Sequence, residues 1–185
     1  MADSFFDKPF AITDVETTGL DVRRHEIIEI GLVVVDQKTF QVIDELDLKV
    51  QPAHIETAEP GALKVNGYVP EQWTAAVPLA EAMKQYSAKT RDAIFCAWNI
   101  TFDWQFIEEA FRSTGVRDSL DYRRIDIPSI AWEKMRHKQI AKFRLSGFAE
   151  ELGIPPEPEV HRAINGARLA TDVFRKLLMP QDSLL

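Results

Sequence analysis

Residues 26–36 read EIIEIGLVVVD, a run so rich in apolar and β-branched side chains that it belongs in the centre of a sheet. The segments on either side have strand character too. Residues 9–14 are short and apolar, and QVIDELDLKV at 41–50 alternates as a half-exposed strand should. The connections are short enough for hairpins, which predicts an antiparallel meander of three strands. After residue 55 the pattern changes, with helical spacing at 58–65 and 78–90 and a compact apolar strand, AIFCAW, at 93–98. TFDWQFIEEAFRS at 101–113 places Phe102, Phe106, Ile107 and Ala110 on one side of an amphipathic helix. Ile125 and Ile127 mark a brief last strand, followed by helices near 128–138, 146–152 and 163–178. A meander followed by alternating helices and strands predicts an α/β fold, a mixed five-stranded sheet flanked by helices.

A chain of 185 residues accommodates one domain with a sizeable core. Its longest apolar run, 30–35, is too short to cross a bilayer, and MADSFFDKPF lacks the basic and apolar regions of a signal peptide. Cys96 is the only cysteine, which excludes an internal disulfide and fits a reducing cytoplasm. The net charge of −7 argues against coating nucleic acid by bulk electrostatics. Between Tyr122 and Arg144, however, seven basic residues face two acidic ones, with Trp132 and Phe143 interleaved. Such a run is commonly a solvated helix face, and it also suits a groove for a phosphate backbone.

Three short stretches carry chemistry. TDVETTGL at 13–20 puts Asp14 and Glu16 two apart at the end of the first strand, hence on one face. Carboxylates that close repel unless a cation lies between them, and Mg²⁺ or Mn²⁺ prefers carboxylate oxygen. An isolated DxE pattern is more often two surface acids opening a turn. In AWNITFDW at 97–104, Asn99 closes a strand, Thr101 is placed to cap a helix, and Asp103 falls in its first turn, where negative charge is favoured in any case. In VHRAINGARLAT at 160–171, His161 precedes a helix rich in alanine.

Together, in this order and spacing, the three stretches resemble the motifs of the DEDDh family of 3′–5′ exonucleases, the group containing proofreading subunits of bacterial replicative polymerases. The resemblance covers nearly the whole chain, residues 1–179, and extends to VNGY at 65–68 and LSGFAEELGIP at 145–155. It implies a ribonuclease-H-like fold and two divalent cations, Mg²⁺ or Mn²⁺, at the scissile phosphate of a single-stranded 3′ end. By the same resemblance Asp14 bridges both ions, Glu16 ligates the first and Asp103 holds the second. His161 is the general base, a role that suits imidazole because it changes charge near neutral pH. Thr17, Thr18 and Gly19 place backbone around the terminal nucleotide, Leu20 wedges against its base, and Asn99 and Phe102 shape the same pocket. Lys134, Arg136 and Lys138 are expected to border the strand upstream of the cut.

One position departs from the pattern. The family carries a metal-ligating aspartate five residues after the histidine, and this chain has Gly166 there. Asn165 points about 100° away round the helix and Asp172 lies about 9 Å along it. Only Glu159, two residues before His161, is within conceivable reach. The expectation is an intact fold with a weakened first metal site and impaired catalysis. The alternative is a degenerate exonuclease fold that binds a 3′ end or a protein without cutting. The tail at 180–185 adds an extended Gln181-Asp182-Ser183-Leu184-Leu185, similar to the short peptides that dock bacterial replication and repair proteins onto the sliding clamp; that resemblance favours DNA over RNA.

Overall fold

The computed structural model of the protein describes residues 4–138, 140, 142–158 and 160–179. Three strands, β1 (Phe10–Thr17), β2 (Ile27–Val35) and β3 (Val42–Lys49), form the antiparallel meander. Two more, β4 (Ile94–Ala97) and β5 (Arg124–Asp126), run parallel to β1 on its other side, giving the order β3-β2-β1-β4-β5. This is the mixed five-stranded sheet expected from the pattern. Every residue of β2 is buried, because helices cover both faces of the sheet. The helices are α1 (Pro60–Val65), α2 (Leu79–Lys89), α3 (Ile100–Thr114), α4 (Ile127–Met135), α5 (Leu145–Glu151) and α6 (Ala163–Leu178).

The period of two along β2 sorts its side chains between two cores. Ile30, Leu32 and Val34 pack with Met83, Tyr86, Phe106 and Ile107 of α2 and α3. Val33 and Val35 pack with Ile164, Ala167, Ala170 and Phe174 of α6. Truncating a buried Phe such as Phe174 to Ala typically costs about 3–5 kcal/mol. Gly31 is what lets α6 lie so close: a Cβ there would run into the Ala163 carbonyl and the Ile164 amide. Among the described residues, no helix is long and apolar enough to cross a membrane.

Three local expectations are corrected. Strand β1 continues to Thr17 rather than ending at Asp14, because β2 pairs with it as far as Thr17↔Ile27. Helix α3 is entered through Asn99, in the left-handed conformation at φ 67°, and Thr101 lies inside the first turn rather than at the cap. The last strand stops at Asp126, and Ile127 opens α4. Glu159 and the clamp-like tail Gln181–Leu185 lie outside the described residues.

Candidate active site

The site forms where β1 outruns its parallel neighbour. The β1–β4 ladder ends at Ile12↔Cys96, while β1 goes on for five residues. Their backbone groups on that edge need other partners. The chain turns at Asn99 into α3, and the Val15 N–H donates to Asp103 Oδ1 at 3.0 Å. Asp103, only 2% exposed, thus stands in for the missing strand and brings its carboxylate beside β1. Asp14 and Glu16, both half-buried, project from β1 on either side of Val15. Neither carboxylate receives a hydrogen bond from any described residue.

Directly across the ladder from Glu16 is Glu29 of β2. Two like charges in register are destabilising unless neutralised. Arg162, the residue before α6, supplies the counter-charge, with Nε 2.8 Å from Glu29 Oε1. Glu29 Oε2 also accepts the Ala163 N–H at 3.2 Å, satisfying one of the free amides at the start of α6. One wholly buried carboxylate therefore docks the third motif onto the sheet. The sequence reading overlooked it, although Glu29 is the only charged residue in the apolar run 27–35, and a charge buried there requires a partner.

The electrostatics follow. Burial, then the charges of Asp103, Glu16, Glu157 and Glu29, hold the Asp14 carboxyl well above the usual range. Burial, then Glu29 and Glu157, raise Glu16 to about 7 against the opposing pull of Arg162. Burial raises Asp103 as well, although the Val15 N–H favours its charged form. Glu157, half-buried on the stiff loop before His161, was not foreseen. It occupies the neighbourhood in which Glu159 was the only candidate, and it forms no ion pair among the described residues.

Gly166 faces this cluster. A Cβ at that position would lie 2.5 Å from Asp14 Oδ2 and 2.8 Å from its Cγ. Position 166 is thus the point on α6 that looks straight at Asp14, and it presents no side chain. Asn165 and Asp172 line a depression together with Glu157, Arg168 and Leu169, and Asp172 is engaged by Arg175 at 2.6 Å. The donor set, crowded carboxylates of which Asp14 and Glu16 receive no hydrogen bond from any described residue, is that of a hard divalent cation. Among the described residues, though, no three His, Cys, Asp or Glu side chains are grouped to hold one ion together.

The remaining residues named from the sequence lie in the loops and helix starts that follow. His161 is exposed just before α6. Leu20 projects from the β1–β2 loop, 71% exposed. That loop is held from within: Thr18 is wholly buried, its N–H donating to Glu26 O and its hydroxyl accepting the Glu26 N–H, both at 2.9 Å. Thr17 Oγ1 donates to Gly19 O, and the buried Asn66 amide donates to Thr17 O at 3.0 Å. Gly19 lies against the His25 ring, leaving no room for a Cβ. Asn99 is exposed, while Phe102 is half-buried and packs against Phe106 with the rings tilted, centroids 5.2 Å apart. In the basic segment, Arg136 pairs with Glu133 at 3.5 Å and Lys138 with Glu151 at 2.9 Å, whereas Lys134 finds no acidic partner among the described residues.

The RNase T exonuclease family model matches residues 11–174, from β1 through most of α6. The chain belongs to this family of exonucleases. Its resemblance to the DEDDh type is thereby upheld, and relatives of known name agree. DNA polymerase III PolC-type of Thermotoga maritima is 29% identical over 175 residues, which are 95% of this chain and 12% of that protein. The Listeria innocua protein of the same name is 25% identical over 172 residues, 93% of this chain and 11% of the other. The chain therefore spans about an eighth of the length of these relatives. Among solved structures, E. coli exonuclease I in complex with a dT13 oligonucleotide superposes with a TM-score of 0.78 at 18% identity, over 96% of this chain and 42% of that one. The nuclease domain of 3′hExo, a DEDDh family member bound to rAMP, gives 0.73 at 19% identity, over 100% and 98%. These two establish the fold of this exonuclease.

Proposed function

We propose that this exonuclease degrades single strands from the 3′ end, DNA in preference to RNA, in the cytoplasm, releasing nucleoside monophosphates with the help of two divalent cations. The observation that carries the reading is the anchoring of Asp103 on β1 by the Val15 N–H, which sets its charge against that of Asp14, while Asp14 and Glu16 receive no hydrogen bond from any described residue. Asp14, Glu16 and Asp103 would hold the ions, Mg²⁺ or Mn²⁺, whose charge would neutralise the scissile phosphate and acidify the attacking water. His161, on the exposed loop at the mouth of the site, would take the proton from that water. Leu20 would wedge the terminal base, and Thr17, Thr18, Gly19, Asn99 and Phe102 would shape the same pocket. The preference for DNA is supported by the PolC-type relatives and by the dT13 complex of exonuclease I; a structural neighbour named for histone mRNA recognition makes RNA the substrate to compare.

Gly166 would leave the first ion short of a ligand and slow the reaction. It also favours a second reading, a degenerate member that holds a 3′ end without cutting. Both are tested by following a 5′-labelled strand, DNA or RNA, with Mg²⁺ or Mn²⁺, for this chain and for Gly166→Asp. The exonuclease reading expects a ladder shortened from the 3′ end, abolished by EDTA, slowed by a 3′-terminal block and faster with Gly166→Asp. No digestion by Gly166→Asp at high Mn²⁺, together with strand binding that survives EDTA, would establish the binding module instead.

A further inference from the structure

At the ends of β4 and β5, where α3 and α4 start, opens a cavity of about 520 Å³ whose lining includes Asn99, Thr101, Asp126, Ser129, Trp132 and Phe143. Two of its walls are aromatic and exposed, Trp132 at 54% and Phe143 at 60%. Both are held in place. Phe143 meets the buried Phe148 edge to face at 5.1 Å, and the Arg136 guanidinium lies 5.7 Å from the Trp132 ring. At the base, Asp126 Oδ1 accepts the Ile100 N–H at 3.2 Å, while Oδ2 accepts the N–H and hydroxyl of Ser129. That carboxylate joins the starts of α3 and α4 and has no oxygen left without a partner. Lys134, Lys142 and Arg144, which lie in the same segment as the two aromatics, have no acidic partner among the described residues.

We propose that this cavity is a stacking subsite for an unpaired base of the strand, on the 5′ side of the scissile phosphate, between Trp132 and Phe143. The proposal rests on the exonuclease reading. Position supports it: β5 is two strand spacings from β1, roughly 10 Å, and Leu20 is on the other side of β1. A strand with its last base at Leu20 crosses Asp14, Glu16 and Asp103 before it reaches Trp132. Chemistry supports it as well. Aromatic faces accept any base, and the Asp126 carboxylate is already engaged by Ile100 and Ser129. The unpaired cations would meet the phosphates locally in a chain whose net charge is −7.

The test is binding of a 5′-labelled single strand in Ca²⁺, with strand integrity checked afterwards, while one abasic nucleotide is walked inward from the 3′ end. One internal position should weaken binding about 5- to 150-fold, the worth of one stacked base at about 1–3 kcal/mol. Trp132→Ala and Phe143→Ala should abolish that sensitivity, and Trp132→Tyr should keep it. Both side chains are exposed, and unchanged circular dichroism would confirm that the variants fold. The subsite is overturned if every internal abasic position behaves alike, or if the sensitive position is the same in Trp132→Ala. A chain that binds and shortens strands with no sensitive position loses the subsite alone; one that binds no strand loses the exonuclease reading too.

Discussion

Arg162 Nε sits 2.8 Å from Oε1 of Glu29, a wholly buried carboxylate on the strand next to β1. This contact makes the third motif part of the site, since it fixes the start of α6 and with it the residues on either side, His161 and Gly166. Removing one partner of a buried pair commonly costs about 3–5 kcal/mol. Because Arg162 is a third exposed, Arg162→Met should fall near the lower end of that range. Urea unfolding measures it, and an unchanged midpoint would mean that Glu29 tolerates its charge unaided.

Glu16 sets a pH dependence. Its folded value, about 7, lies above its ordinary 4.5. Between these values the folded protein binds more proton than the unfolded chain, so metal-free stability should decline as pH rises through that window. Below it the group is protonated in both states and contributes no slope. Thermal melts from pH 4 to 8 in EDTA should show the decline, flattened in Glu16→Gln and reversed by Mn²⁺. A melting temperature in EDTA that climbs from pH 5 to 7 would contradict the crowding of carboxylates.

Glu157 acts on the same group through space. Glu157→Gln should therefore shift the Glu16 titration toward lower pH, and by less than Glu29→Gln, because Glu29 is the larger of the two influences. Carboxyl-carbon NMR titration reads this directly. No displacement in Glu157→Gln would place that loop farther from β1 than described.

At position 166, aspartate should have opposite effects with and without metal. A Cβ there meets the Asp14 carboxylate, the mobile end of a side chain, which must swing aside, and the new charge adds to an already acidic cluster. Gly166→Asp should thus melt earlier than the parent in EDTA and later in Mn²⁺. By comparison with the 10- to 100-fold effect of outer-shell partners, its Mn²⁺ affinity by calorimetry should rise at least about tenfold.

Gly31→Ala tests how closely α6 is seated. Its methyl group would meet the backbone of Ala163 and Ile164, which cannot yield as a side chain can. Overpacking typically costs about 1–3 kcal/mol, and the displaced helix should carry Arg162 away from Glu29. Denaturant unfolding checks the cost, and a variant as stable as the parent would show that α6 moves freely.

The five strands and most of the helices were legible because their cause is local. Nine consecutive apolar-dominated residues in β2 have no stable place but mid-sheet, whereas β3 buries Leu46 alone and exposes both Val42 and Ile43, so its alternating pattern is not matched by alternating burial. The three motifs were legible for the same reason, each being a few residues at a strand or helix end. What the chain could not reveal one residue at a time was what lies across from what. Glu16 opposite Glu29 depends on the antiparallel register, Asp103 on the Val15 amide depends on β1 outlasting β4, and Gly166 facing Asp14 depends on how near α6 can lie. Residue types and spacing by themselves determined the fold class, the family and the absence of an aspartate at 166. Tertiary structure alone decided how that absence is felt, because repulsion, burial and ligand geometry depend on distances between groups as far apart in sequence as Asp14 and Gly166.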